Sequence, residues 1–247
     1  MSSTVKRINA ITGLKFQTII SNLSMMSNPL IALFLVIVFR KVMANLPQGS
    51  GAFRVDAFLL GLGLIMNIVS GGLLISSTSI AEEKEKNTLR VLMTSSVKSN
   101  EYLIGSLIPT FSIIMIVNLL LIPASGISYS AIHLPTFLLI TASGTLISII
   151  IGFVIGILTK DQTQSGVICT PILLVFTMLP QLRFFSSTIE RVSSYTYSGV
   201  IASYVDGIFS KEGYALNSRD LVTVAIWFIL EIVIFILAYK KRGMESD

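Results

Sequence analysis

The sequence predicts an all-α polytopic membrane protein with six transmembrane helices. Three observations carry that expectation. Apolar residues make up 53% of the chain and charged residues only 13%, about half the roughly 25% charge of an average soluble domain. The mean hydropathy is +0.81. The charges are also clustered: from Tyr102 to Thr159 there is no formal charge at all. A transmembrane β-barrel would instead alternate apolar and polar residues in segments of about 10, a pattern this chain lacks. The net charge of +5 resides largely in residues flanking apolar runs, which speaks for membrane orientation rather than nucleic acid.

The amino-terminal segment 4–20 reads as an amphipathic helix lying on the membrane. Val5, Ile8, Ile11 and Leu14 recur every three residues, and Lys6, Arg7 and Lys15 supply cationic positions near headgroups. The first apolar run, near Leu30, follows a polar and basic start with no cleavage site of small residues, so the first span is expected to stay in the membrane. It covers about 23–43, with Arg40 and Lys41 placed to snorkel. A loop with Pro47, Gly49 and Gly51 leads to a second span at about 56–78, long enough at 1.5 Å per residue to cross about 30 Å of hydrocarbon. Its small residues Gly61, Gly63, Ser70, Gly71 and Gly72 permit close helix approach.

The densest charge cluster follows, from Glu82 to Arg90. Inserting a central Lys, Arg or Asp into hydrocarbon costs about 2.5–3.5 kcal/mol, so this stretch belongs in water at a membrane face. Ser79 and Glu82 have capping-box spacing and predict a new helix starting there. Within it Leu89, Leu92 and Met93 share one face. Spans three and four are expected at about 102–122 and 134–158, separated by Pro123 and Gly126. Span four carries Ser148, Gly152 and Gly156 at four-residue spacing, a seam for helix packing. Span five, about 165–182, contains Pro171 and Pro180 and is expected to be kinked or broken. Residues 183–220 are aromatic-rich but interrupted by polar groups, which predicts short interfacial or re-entrant helices outside the cell. Span six covers about 221–239. No internal repeat or second domain is visible, so 1–247 reads as one unit.

Six spans put both termini on one side. That side holds eleven of the 18 Lys and Arg: Lys6, Arg7, Lys15, Lys84, Lys86, Arg90, Lys98, Lys160, Lys240, Lys241 and Arg242. The bias places the termini and the charged stretch in the cytoplasm of a cell-membrane protein.

Constellations for catalysis are missing from the sequence. His133 has no partner histidine, there is no Walker-type phosphate loop, and Cys169 is a single thiol within an apolar run, with no metal-ligand spacing. Among the polar residues within spans, two amides and a carboxylate stand out: Asn67, Asn118 and Glu231. An intramembrane carboxylate is a functional candidate by default, and the three together are candidates for a substrate path. The competing reading of Glu231 is a structural group, and that of the asparagines is interhelical hydrogen bonding.

The run Glu85-Lys86-Asn87-Thr88-Leu89, followed by Leu92, Val97, Glu101 and Gly105, resembles the signature of ABC type-2 (ABC-2) exporter permeases. The six spans, the amino-terminal amphipathic helix and the aromatic segment before the last span are similar to that family too. Asn87, Ser96 and Ser106 stand where the family has glycine, proline and lysine, which leaves the substrate subclass open. The resemblance implies that a cytoplasmic coupling helix after the second span docks in a cleft of a separate ATP-binding subunit. Glu82, Glu83, Glu85, Lys86, Thr88, Leu89 and Leu92 would form that contact. It further implies that two permease copies, identical or related, pair with two ATP-binding subunits, the first, second and fifth spans enclosing the route.

The functional expectation is therefore the permease subunit of an ATP-driven exporter, not itself an enzyme, moving an amphipathic peptide, drug or lipid-like molecule. This chain would hold no cofactor; ATP and Mg would sit on the partner. Two alternatives stand beside it. A non-transporting immunity or sensor component would keep the spans without the coupling face, and a secondary transporter would show inverted repeats or paired broken helices.

Overall fold

A computed structural model describes residues 3–44, 54–88, 97–209, 214 and 217–242. The backbone of each long apolar run satisfies its own polar groups by closing into a helix, the only local solution in hydrocarbon short of a closed barrel. Six helices are long and apolar enough to cross a membrane, and no strand occurs among the described residues. In chain order the helices are α1 (Ser3–Ser21), α2 (Leu23–Met43), α3 (Val55–Glu85), α4 (Ser99–Ser125), α5 (Leu134–Leu158), α6 (Gln162–Leu182), α7 (Ser187–Ser193), α8 (Tyr197–Ile208) and α9 (Ser218–Arg242). Spans one to six are α2, α3, α4, α5, α6 and α9.

The bundle is built around α3 and α5, whose apolar stretches are 78% and 67% buried; α2, α6 and α9, at 22%, 28% and 17%, form its outside. Lipid tails are as apolar as leucine, so close packing rather than expulsion of water holds such helices together. The α3–α5 contact is correspondingly tight. A Cβ on Gly152 would come within 2.7 Å of the Leu73 carbonyl oxygen and of Ser76 Cβ, and one on Gly156 within 2.9 Å of the Ser77 carbonyl. Ser148 lies against Gly72 in the same seam.

Short α8 is not peripheral. Val200, Ile201, Tyr204 and Val205 are buried, with Val205 beside Gly61 of α3 and Ile201 beside Gly144 of α5. Phe176, Tyr197 and Trp227 stack α6, α8 and α9 together at centroid separations of 4.9, 5.2 and 5.9 Å.

Several local expectations need correction. No helix starts at Ser79: α3 runs on to Glu85, because Ile80 and Ala81 are fully buried and the charges beyond them find partners without breaking the helix. The helix contains a π-helical turn at Asn67–Gly71. Span five is not broken. Pro171 and Pro180 lie within continuous α6, each removing one backbone donor. Pro123 lies in the last turn of α4, where its carbonyl accepts the Gly126 N–H (3.1 Å), and Gly126 turns the chain at φ 100°. In α1 the stripe of every third residue drifts around a helix of 3.6 residues per turn. The face that docks is Ile11, Lys15 and Ile19, while Leu14 is exposed. Ile11 sits on Gly105 of α4, where a Cβ would come within 2.7 Å of it.

Candidate functional site

The charged end of α3 meets α1, α4, the end of α5 and the start of α6. Four consecutive residues there each grip a different part of the chain. Glu82 accepts a hydrogen bond from Asn22 Nδ2 (3.4 Å), in the junction between α1 and α2, and pairs with Lys86 Nζ at 2.5 Å. Glu83 pairs with Lys15 Nζ of α1 at 2.8 Å and accepts a hydrogen bond from the Tyr102 hydroxyl of α4. Lys15 Nζ also donates to Ser79 Oγ (2.8 Å) and Tyr102 Oη (3.1 Å).

Lys84 donates to the carbonyls of Ile157 (2.7 Å) and Thr159 (2.5 Å) at the end of α5. Glu85 accepts from the backbone N–H of Gln162 (3.3 Å), the first residue of α6. A helix carries partial negative charge at its C-terminus and partial positive charge at its N-terminus. An ammonium on the end of α5 and a carboxylate on the start of α6 therefore complement the two sides of a single turn.

The geometry follows from local sequence. Consecutive helical residues point about 100° apart, so four in a row address four directions, as the last turn of an inner helix can. Asn87 then stops the helix in the left-handed region, at φ 57°. Asn enters that region more readily than most residues because its side chain hydrogen-bonds locally. The N–H groups of Lys86 and Asn87 close back on the carbonyls of Glu82 and Lys84.

Lys15 is only 1% exposed. Burial pushes its pKa below the ordinary lysine value, and the Glu83 carboxylate pulls it back up. Its expected place among headgroups is therefore corrected: it is a core residue with a paired charge. Lys86 is exposed, and its hydrogen bond to Glu82 raises its pKa.

Of the residues expected at the coupling contact, Glu82, Glu83 and Glu85 engage the chain's own helices, whereas Lys86 and Thr88 are exposed. Leu89 and Leu92, with the expected coupling helix, lie outside the described residues. Beside the cluster is a cleft of about 410 Å³ between α1 and α3, lined by Leu14, Thr18, Glu82, Lys86 and Thr88. Glu101 and Gly105, two further positions of the sequence signature, hold α1 on α4. Glu101 pairs with Arg7 at 3.4 Å, and Gly105 seats Ile11.

Of the candidate path residues, Asn67 and Asn118 come together and Glu231 does not join them. Asn67 is fully buried, and its Nδ2 donates to Asn118 Oδ1 (2.8 Å) and the Ile114 carbonyl (3.0 Å), tying the π turn of α3 to α4. Glu231 is elsewhere, in α9, 6% exposed and within electrostatic reach of Tyr197. Cys169 is buried, with its sulfur 3.2 Å from Ser77 Oγ.

Sequence reasoning missed Lys15, Asn22 and Tyr102 as parts of the charged cluster, and left Lys84 out of the expected contact residues. One signal was available: Lys15 lies four residues after Ile11 and four before Ile19, a lone charge on what is otherwise the apolar stripe of a helix.

The family description that matches this chain is ABC-2 family transporter protein, over residues 9–239. No curated protein sequence matches it.

Proposed function

The chain belongs to the ABC-2 transporter family, and from that premise we propose that it exports an amphipathic molecule, peptide, drug or lipid-like, across the cell membrane under the drive of ATP. Membership makes it the membrane-spanning permease component of an ABC transporter and implies association with an ATP-binding subunit. In our reading that subunit is a separate chain carrying ATP and Mg, two permease copies face one another, and the termini and the charged end of α3 are cytoplasmic. The amphipathic α1 lies in the cytoplasmic interface, and α7 and α8 belong to the outer half.

One observation carries the mechanism: the last turn of α3 binds α1, α4, α5 and α6 through Glu83, Lys84 and Glu85. A push delivered just beyond Asn87 reaches four helices through short polar contacts. The coupling segment beginning at Thr88 receives the movement of the ATP-binding subunit, its apolar Leu89 and Leu92 acting as anchors within a charged rim. The cluster behind it distributes the displacement. Catalysis of ATP hydrolysis is left to the partner.

The test is co-purification from mild detergent with the ATP-binding subunit co-expressed, comparing wild type, Leu89→Glu and Glu83→Gln. We expect the ATP-binding subunit to accompany wild type and Glu83→Gln but not Leu89→Glu. Glu83→Gln should retain the partner yet lose cargo-stimulated ATPase activity. A wild-type chain that brings down no ATP-binding subunit overturns the exporter reading.

A further inference from the structure

At the end of the bundle remote from the charged cluster, where α6 finishes and α9 begins, a cleft of about 770 Å³ opens against α7. Its charges are unlike those of the cluster. Arg183 is committed, paired with Asp206 at 2.7 Å, and its guanidinium lies 4.8 Å from the centre of the Phe184 ring. The neighbouring residues Glu190 and Arg191, both exposed and both lining the cleft, have no ion-pair partner among the described residues.

Ser193, also in the lining, is 2% exposed, and its hydroxyl has no hydrogen-bond partner among the described residues. A buried hydroxyl left without a partner costs free energy, and Ser193 belongs to the wall of this cleft, beside Gly199 of α8. Arg183 Nε is likewise buried without a partner among the described residues. The rim is aromatic: Phe184, Phe185 and Tyr195 are 57%, 82% and 61% exposed. Exposed aromatic rings of this kind favour headgroup depth.

Arg219 also lines the cleft and is committed to Asp220 at 3.4 Å. That leaves, among the described residues, one cation and one anion without an ion-pair partner, beside an unsatisfied hydroxyl and ringed by aromatic side chains, a set that matches a ligand carrying both charges and continuing into acyl chains. We propose that this cleft binds the zwitterionic phosphoamine headgroup of a membrane phospholipid, its phosphate toward Arg191 and Ser193 and its ammonium toward Glu190. A purely anionic headgroup would leave Glu190 facing like charge, and a neutral polyol would leave Arg191 unused. The site is independent of the proposed transport reading and stands whether or not the chain exports.

The protein contains a single tryptophan, Trp227, whose indole N–H donates to the Tyr195 carbonyl at the cleft wall (2.8 Å). Its emission therefore reports the site directly. The full-length chain in detergent is titrated with short-chain phosphatidylethanolamine, with phosphatidylglycerol, which lacks the ammonium, and with free phosphoethanolamine. Phosphatidylethanolamine should shift the emission saturably, at a concentration about tenfold below that needed for phosphatidylglycerol, the scale of one charge-assisted hydrogen bond. Arg191→Gln should weaken both lipids about tenfold, and Glu190→Gln should abolish the preference between them. These two side chains are exposed, so neither variant threatens the fold.

Ser193→Ala should weaken both lipids in the same direction. Equal response to the two lipids in wild type, or an unchanged midpoint in both Arg191→Gln and Ser193→Ala, overturns the proposal. A saturable response to free phosphoethanolamine with none to the lipid overturns the membrane source.

Discussion

The two ends of the bundle use charge in opposite ways. At the end of α3, Glu83, Lys84 and Glu85 are each held by groups on another helix, and Lys15 is buried to meet them. At the far end, Glu190 and Arg191 sit side by side in water with no ion-pair partner among the described residues. The first arrangement makes several helices move as one; the second leaves charges free to meet something else. Breaking a satisfied buried charge should therefore be expensive, and removing a free one should cost stability almost nothing.

That contrast can be tested by thermal unfolding in detergent. The largest effect is expected at Glu83. Glu83→Leu strands the Lys15 ammonium in the core and should cost about 3–5 kcal/mol. The double variant Lys15→Met with Glu83→Leu should lose less than Glu83→Leu alone. A double variant as damaged as the single would mean that shape rather than charge matters there. Next comes the α3–α5 seam, where Gly152→Val would drive side-chain atoms into the carbonyls of Leu73 and Gly72, a cost of about 1–3 kcal/mol.

Smaller again is Lys84→Met, which removes the ammonium from the end of α5 and should cost about 1–2 kcal/mol, up to the limit for a partly buried cation at a helix C-terminus. Smallest is Glu190→Gln, expected to change stability by less than about 0.5 kcal/mol, as for surface substitutions generally. A loss at Glu190 comparable to that at Lys84 would erase the distinction between the two ends.

The six spans were legible in the sequence because hydrocarbon thickness and backbone hydrogen bonding leave so few solutions for a long uncharged run. What escaped was set by partners distant along the chain. The continuation of the second helix past Ser79 was misjudged because Glu82 to Glu85 look like water-seeking residues until Asn22, Lys15, Tyr102 and the α5–α6 turn come to meet them. Those contacts join residues 19 to 77 positions apart, all but the one to Tyr102 at least 60.

Pro171 and Pro180 suggested a break, yet each deletes only one donor, and α6 passes through both. In α1 the every-third pattern was real in sequence but too short in period to stay on one face. Leu14 rotated outward and Lys15 inward. The resemblance to the family rested on Glu85 to Leu89, and the structure adds a reason for two of its outlying positions: Glu101 and Gly105 dock α1.

The π turn at Asn67–Gly71 sets the phase of everything after it. Such a turn amounts to one extra residue wound into an otherwise α-helical rod. Without it, the stretch from Gly72 to Glu85 would be rotated by about 100° and displaced by about 1.5 Å. Glu83 would then point where Lys84 now points, and each charge would face a neighbour's partner. The turn lies about midway along α3, fastened to α4 by Asn67 and Asn118, far from any charged group it aligns. A fully α-helical second span of the same sequence would still cross the bilayer, but its teeth would no longer mesh.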